Sequence, residues 1–363
     1  MMRIREIDGL RAIAFLSVML FHYLPGWFPG GYIGVDLFFV VSGFVITSTL
    51  KSELQRNGKI ELKNFYIRRF FRIVPPLAVM LVFGLLVGGT RYLGDAFAAL
   101  FSFMNWVREF TIRDGNIFGH AWSLSIEEQF YVLWPFIFIG LSRSGRAASG
   151  LVAAIVVIAI WRGWLSVGVT PERIYNGLDT HTDGLLLGCL IALSPPPIRR
   201  REWLIAATIL MAICLTTSSD TPWMNFTGYL VVALCSGALL LAALDPSPGL
   251  RRLLNLRPMQ WLGLRSYSAY LWHFPIVVLT LQVVEGKLQL FLATGLTLLT
   301  AELSFRFIEI PCGKLGRRFG HSVLAPSEFA QPSLATAALP QPHGQQRRQT
   351  TRQRSPLIGV SEP

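Results

Sequence analysis

The sequence predicts an all-α polytopic membrane protein, and three observations carry that prediction. Of 363 residues, 52% are hydrophobic and only 15% are charged, whereas a soluble domain carries about 25% charged residues. The mean hydropathy is +0.47. The apolar residues gather into blocks of roughly 17–22 with sparse charges, the length that crosses a hydrocarbon core of about 30 Å as a helix. A soluble α/β enzyme, a disordered chain and a small secreted scaffold are excluded together.

The expected helices run over 9–24, 32–50, 73–90, 122–141, 148–167, 181–194, 203–219, 226–244, 262–283 and 288–309. That makes about ten transmembrane helices, with 181–194 short. Arg3, Arg5 and Arg11 precede the first block as in a signal peptide, but no small-residue cleavage site follows Tyr23. The block is therefore read as a retained span. The stretch 94–106 is short and interrupted, and the positive-inside rule decides how it is read. Loop 51–72 holds Lys51, Arg56, Lys59, Lys63, Arg68, Arg69 and Arg72, so it is expected to be cytoplasmic. If 94–106 does not cross, the later basic loops all fall on that same side: Arg143 and Arg146, Arg199 to Arg201, Arg251 to Arg257, then Lys314 to Arg318. Both termini are then cytoplasmic, and 91–121 is an outer loop dipping into the interface. The net charge of +12 follows from topology and an anionic inner leaflet, without a nucleic-acid partner.

The membrane domain is expected over 1–312, followed by a basic, disordered cytoplasmic tail over 313–363. From Ser322 the composition turns to Gln, Pro, Ser, Ala and Arg with no helical period. No internal repeat is evident, which speaks against a transporter built on inverted repeats. Cys189, Cys214, Cys235 and Cys312 form no CxxC pair, and the six histidines form no HExxH arrangement. Neither disulfides nor a metal site are expected from that spacing.

Ionisable groups inside spans cost roughly 2.5–3.5 kcal/mol each on insertion scales, so they mark candidate functional sites. Arg11 and His22 are eleven residues apart, about three turns and about 16 Å along one face of the first helix. Asp8 lies one turn below Arg11. The bland reading is a snorkelling arginine and a satisfied histidine at a helix end. Asp36, entering the second span from outside, lies at nearly the depth of His22 across the hairpin 25–31. Ser123, Ser125, Glu127 and Glu128 begin the fourth span from the same side, and His181 and Asp183 begin the sixth. An imidazole with carboxylates at matched depth suits a general base and its orienting group; Asp36 or Ser123 as a mere helix cap is the alternative. At the cytoplasmic edge, Arg68, Arg69 and Arg72 come close in depth to Arg11, with Arg265, Arg306 and Glu309 near that face. Clustered guanidiniums suit phosphate recognition, against the plain alternative of a positive-inside cluster.

These residues resemble the membrane-bound acyltransferase-3 family, whose members O-acylate bacterial surface polysaccharides. The match begins with Arg11-x10-His22 inside IDGLRAIAFLSVMLFHY, then GGYIGVDLFFVVSGFVIT (30–47) and FYIRRFFRIVPPL (65–77), which holds the R-x-x-R of Arg69 and Arg72. HAWSLSIEEQFYVLWP (120–135), HTDGLLLG (181–188), SYSAYLWHFPI (266–276) and ELSFRFIEIP (302–311) follow in order. Seven ordered blocks over about residues 5–312 are far more specific than Arg-x10-His alone.

The resemblance implies transfer of an acyl group, usually acetyl, from cytoplasmic acyl-CoA as co-substrate to a sugar hydroxyl at the outer side of the bacterial cytoplasmic (inner) membrane. The acceptor would be a glycan or glycolipid, such as lipopolysaccharide, exopolysaccharide or a lipo-oligosaccharide. The matching positions place Arg11, Arg69 and Arg72 at the CoA-facing end and His22 at the reaction centre, with Asp36 or Glu127 orienting the imidazole. Glu127 matches the family's SLSxE glutamate; Glu128 is not given that role. Some relatives add a C-terminal extracytoplasmic hydrolase-like domain that is not seen here, so acceptors that depend on it are not expected. The competing class is a transporter or flippase moving the donor or glycan without chemistry.

Overall fold

In a computed structural model, residues 3–110, 116–284 and 286–320 are described, and among them every regular element is helical. In chain order the α-helices are α1 Arg5–Tyr23, α2 Gly34–Asn57, α3 Leu62–Gly88, α4 Leu93–Leu100, α5 Met104–Phe110, α6 Ala121–Ser144, α7 Ala147–Leu165 and α8 Pro171–Asn176. They continue as α9 Asp183–Leu193, α10 Arg200–Thr216, α11 Tyr229–Leu244, α12 Pro248–Leu254, α13 Arg257–Leu281, α14 Gly286–Ser304 and α15 Ile310–Phe319. Wider π turns at Met224–Gly228 and Phe305–Glu309 lead into α11 and α15.

Each of the ten expected segments contains a helix. Six helical stretches are long and apolar enough to cross a membrane: Gly31–Asn57, Leu62–Gly88, Ala121–Ser144, Ala147–Leu165, Met224–Leu244 and Gly286–Phe319. Helices α9 and α10 fall short at 11 and 17 residues. Helix α1 carries Arg5, Glu6, Asp8 and Arg11, and α13 carries Arg265, Ser266, Ser268 and His273, so polar groups interrupt both. Large apolar side chains such as Leu86, Ile160 and Phe291 are exposed on α3, α7 and α14. That surface suits hydrocarbon rather than water, and the protein is a multi-pass membrane protein.

The bundle is built around α2, whose apolar stretch is 72% buried inside the protein against 17% for α7. Its main partner is the short α9. Gly43 on α2 faces the Leu185 carbonyl and Gly188 on α9 faces the Val40 carbonyl, where added Cβ atoms would lie 1.9 Å and 2.0 Å from those oxygens. Only glycine permits so close a backbone approach. Both ends of α9 are tied to α2. His181, just before α9, bonds to Asp36, and the Lys51 ammonium donates to the last carbonyls, Ala192 O and Leu193 O, at 3.1 and 3.2 Å. A cation there also complements the helix C-terminus.

Two expectations about boundaries change. Helix α3 starts at Leu62 rather than near 73, so Arg68, Arg69 and Arg72 ride on its first three turns instead of in a loop. Its extension is held by α15, where Phe71 and Phe319 stack at 5.8 Å. Residues 313–319 are therefore helical rather than the start of a disordered tail; the rest of the expected tail, from 321, lies outside the described residues. Within 94–106, α4 and α5 have eight and seven residues, about 12 Å each at most, and neither is long enough to cross.

Candidate active site

Helices α1 and α13 pack side by side, bringing His22 in the last turn of α1 against His273 on α13, with ring centroids 5.1 Å apart. His120, immediately before α6, closes on His273 at 5.5 Å. Each ring donates to a backbone carbonyl: His22 Nδ1 to Val18 O at 3.0 Å, His273 Nδ1 to Tyr270 O at 2.6 Å, and His120 Nε2 to Leu271 O at 3.0 Å. A carbonyl only accepts, so the bonded nitrogen carries the proton. The neutral rings therefore present His22 Nε2, His273 Nε2 and His120 Nδ1 as lone pairs. The latter two are buried and have no partner among the described residues.

The surroundings hold the trio rigidly. Phe21 and Phe274 meet the His22 ring edge-on at 4.9 and 5.0 Å, and Phe15 meets His273 at 5.8 Å. The Tyr270 hydroxyl shares a 2.6 Å hydrogen bond with Ser123 Oγ and reaches the His120 carbonyl. Arg108 of α5 donates to Gly119 O at 3.2 Å and lies within electrostatic reach of His22 and His120. Despite the three imidazoles, no group of three His, Cys, Asp or Glu among the described residues is arranged to hold a metal ion.

A second cluster forms where α1, α3, α6 and the turn before α15 converge. Arg69 lies over the Tyr131 ring, its guanidinium carbon 3.1 Å from the centroid, with Nε 3.9 Å from Glu128. Glu127 sits within hydrogen-bonding reach of Ser42 and faces Arg69, Arg11 and Arg72. Glu309, brought inward by the π turn, accepts from Ser268 Oγ at 2.9 Å and faces Arg72 and Arg11. Three guanidiniums thus stand among three carboxylates. Arg72 is exposed and Arg69 half-buried, so their forks remain open to an incoming anion.

Asp36 belongs to a third cluster. Its Oδ1 lies 2.8 Å from His181 Nε2, while His181 Nδ1 donates to Tyr175 O at 2.7 Å. Beside it, the wholly buried Arg162 of α7 donates to Asp183 and to Thr180 O, each at 2.8 Å. This network ties α2, α7 and α9 together.

The structure therefore brings Arg11, Arg69 and Arg72 together and keeps His22 about three turns away on α1. Among the described residues it does not bring a carboxylate to His22. Asp36 bonds to His181, and Glu127, about two turns along α6 from His120, joins the arginines. Position along each helix was legible in the sequence, but the direction each helix face points was not. His120, His273 and Arg108 were missed as neighbours of His22, and Tyr270 as a neighbour of the other two histidines, although all but Arg108 stood inside the matched blocks. The available signal was polar side chains placed in apolar helices.

An all-helical, multi-pass protein with a buried imidazole cluster and a separate arginine cluster defines the class. The chain belongs to the family described as "Acyltransferase domain", whose model matches residues 4–303. It is 36% identical to peptidoglycan O-acetyltransferase OatA of Listeria monocytogenes, over 86% of this chain and 56% of that protein. It is 32% identical to O-acetyltransferase OatA of Staphylococcus aureus, over 92% of this chain and 61% of that protein. The chain thus spans somewhat over half the length of these relatives. No solved structure matches it.

Proposed function

We propose that this protein is a membrane-embedded O-acetyltransferase that takes an acetyl group from cytoplasmic acyl-CoA and passes it to a glycan hydroxyl on the far side of the bacterial cytoplasmic membrane. The observation that carries this reading is α1 itself. Arg11 stands in a guanidinium cluster at one level and His22, whose bonded Nδ1 leaves Nε2 as the lone pair, stands about 16 Å away along the same helix. Arg11, Arg69 and Arg72 would hold the CoA phosphates through charge-assisted bonds. The thioester arm then extends along the bundle toward His22. In this reading about ten helices cross and both termini are cytoplasmic.

His22 Nε2 removes the proton from the attacking hydroxyl, or else attacks the thioester and carries the acetyl group outward as an acyl-imidazole. Both routes need the same lone pair. The relatives' names favour peptidoglycan as the acceptor, a polymer outside the surface sugars expected from the sequence. A transporter or flippase moving the donor or glycan would need no fixed imidazole tautomer and would form no ester.

The test is reconstitution in proteoliposomes, with acetyl-CoA on one side and soluble peptidoglycan oligosaccharide on the other. Mass spectrometry should find an added acetyl ester with the wild-type protein and none with His22→Ala at equal protein level. Ester formation by His22→Ala overturns the assignment of His22. Movement of donor or glycan without an ester overturns the enzyme reading.

A further inference from the structure

We propose that His273 is the group that shares the proton His22 acquires, in place of the carboxylate such a base ordinarily uses. The inference rests on His22 acting as the base. Once protonated, His22 carries N–H on both nitrogens: Nδ1 is committed to Val18 O, and Nε2–H needs an acceptor. Asp36 bonds to His181 and Glu127 is engaged by Ser42 and the arginines. The acceptor in contact with the His22 ring is His273, 5.1 Å between centroids, whose Nε2 is buried and without a partner among the described residues.

Neither Nε2 carries a proton at rest. Both are lone pairs, and two acceptors have nothing to share until a proton arrives. His273 is held ready: Nδ1 is fixed by Tyr270 O, its carbonyl accepts from the Tyr23 hydroxyl at 3.4 Å, and Phe15 packs on the ring. Among the described residues, the titratable and charged groups facing the pair are His120, Tyr270, Tyr23 and Arg108. Arg108 is a cation, so it disfavours a second isolated positive charge on His22, and spreading that charge over two imidazoles offsets the penalty.

The chemistry balances. The acceptor oxygen bonds to the thioester carbonyl carbon and the carbon–sulfur bond breaks. The hydroxyl proton passes to His22 Nε2, is shared with His273 Nε2, and is finally delivered to the departing CoA thiolate. Both rings return to neutral, and the products are the acetyl ester and CoA thiol. His273 is on this account a positioning residue, acting through His22.

The test uses the full-length protein in proteoliposomes with acetyl-CoA and soluble peptidoglycan oligosaccharide. His273→Phe keeps a ring without a lone pair, and His273→Gln restores an acceptor oxygen. The Phe variant should lose about 10- to 100-fold in kcat with KM for acetyl-CoA unchanged, and the acidic limb of its kcat profile should move to lower pH. The Gln variant should recover most of both. Unchanged rate and pH profile in His273→Phe overturn the inference, as does equal impairment of both variants with the limb unmoved, which is a packing effect. Histidine 15N NMR of the wild type needs no variant: the first proton should spread over both Nε2 atoms, and independent titration of the two rings overturns the proposal. If the wild type makes ester while the histidine tests fail, the acyltransferase reading stands and only this inference falls. If the wild type makes no ester, both fall.

Discussion

Asp36 Oδ1 and His181 Nε2, 145 positions apart in the chain, lie 2.8 Å apart in a contact whose side chains are 1% and 0% exposed. The pair anchors the start of α9 to α2, as Lys51 anchors its end. Breaking a buried pair by removing one partner typically costs about 3–5 kcal/mol, because the other polar group stays buried without compensation. Asp36→Ala should therefore sharply reduce the amount of folded protein in detergent size-exclusion profiles, while activity per folded molecule is retained. Asp36→Asn, which keeps a hydrogen bond, should be milder. Normal yield with abolished transfer would instead return Asp36 to the chemistry.

Arg69 is expected to act on donor binding. Its guanidinium stacks on Tyr131 and keeps part of its fork open, and a hydrogen bond to a charged group is worth about 1.5–3 kcal/mol. Arg69→Ala should raise KM for acetyl-CoA by about 10- to 100-fold with a smaller change in kcat. Arg69→Lys should rescue only partly, since an ammonium cannot reproduce a planar fork stacked on a ring. An unchanged KM in initial-rate kinetics would confine Arg69 to a structural contact with Tyr131.

The α2–α9 contact gives a packing prediction. A Cβ at Gly188 would meet the Val40 carbonyl at 2.0 Å, and backbone cannot yield as a flexible side chain does. Gly188→Ala should destabilise by about 1–3 kcal/mol, read as a lower melting temperature in detergent. Gly94→Ala, where the added carbon meets nothing within 4 Å, is the matched control. Equal melting temperatures for the two variants would refute the close approach.

Outside the spans, Asp179 gives a pH prediction. Burial works against its charge, but hydrogen bonds from Arg173 and the Trp161 indole hold the carboxyl below its ordinary value. A depressed carboxyl contributes stability that is present above its unfolded value of about 3.9 and lost as pH falls through the lower folded value. Asp179→Asn should therefore leave melting behaviour flat between pH 5 and 8, roughly, and reduce the wild type's extra loss below about pH 4. Its partial exposure makes the effect small and salt-sensitive.

Helix existence was legible because insertion into hydrocarbon demands long apolar runs, and those runs can be counted. Position along a helix was equally legible. The Arg11–His22 spacing gave the two levels of the candidate site directly, since rise per residue is constant. Azimuth was not. Asp36 was expected at nearly the depth of His22, yet α2 turns Asp36 toward α9 while His22 faces α13. No property of either helix alone fixes that choice.

What the chain determined alone was its class, its helices and the levels of its polar groups, all consequences of local hydropathy and helical rise. What only the tertiary structure decided was which polar groups meet. His273 and His120 stand 251 and 98 positions after His22, and Glu127 parts from the histidines to join the arginines. Such pairings depend on how helix faces rotate into the bundle, and close glycine contacts with buried hydrogen bonds between distant residues set that rotation.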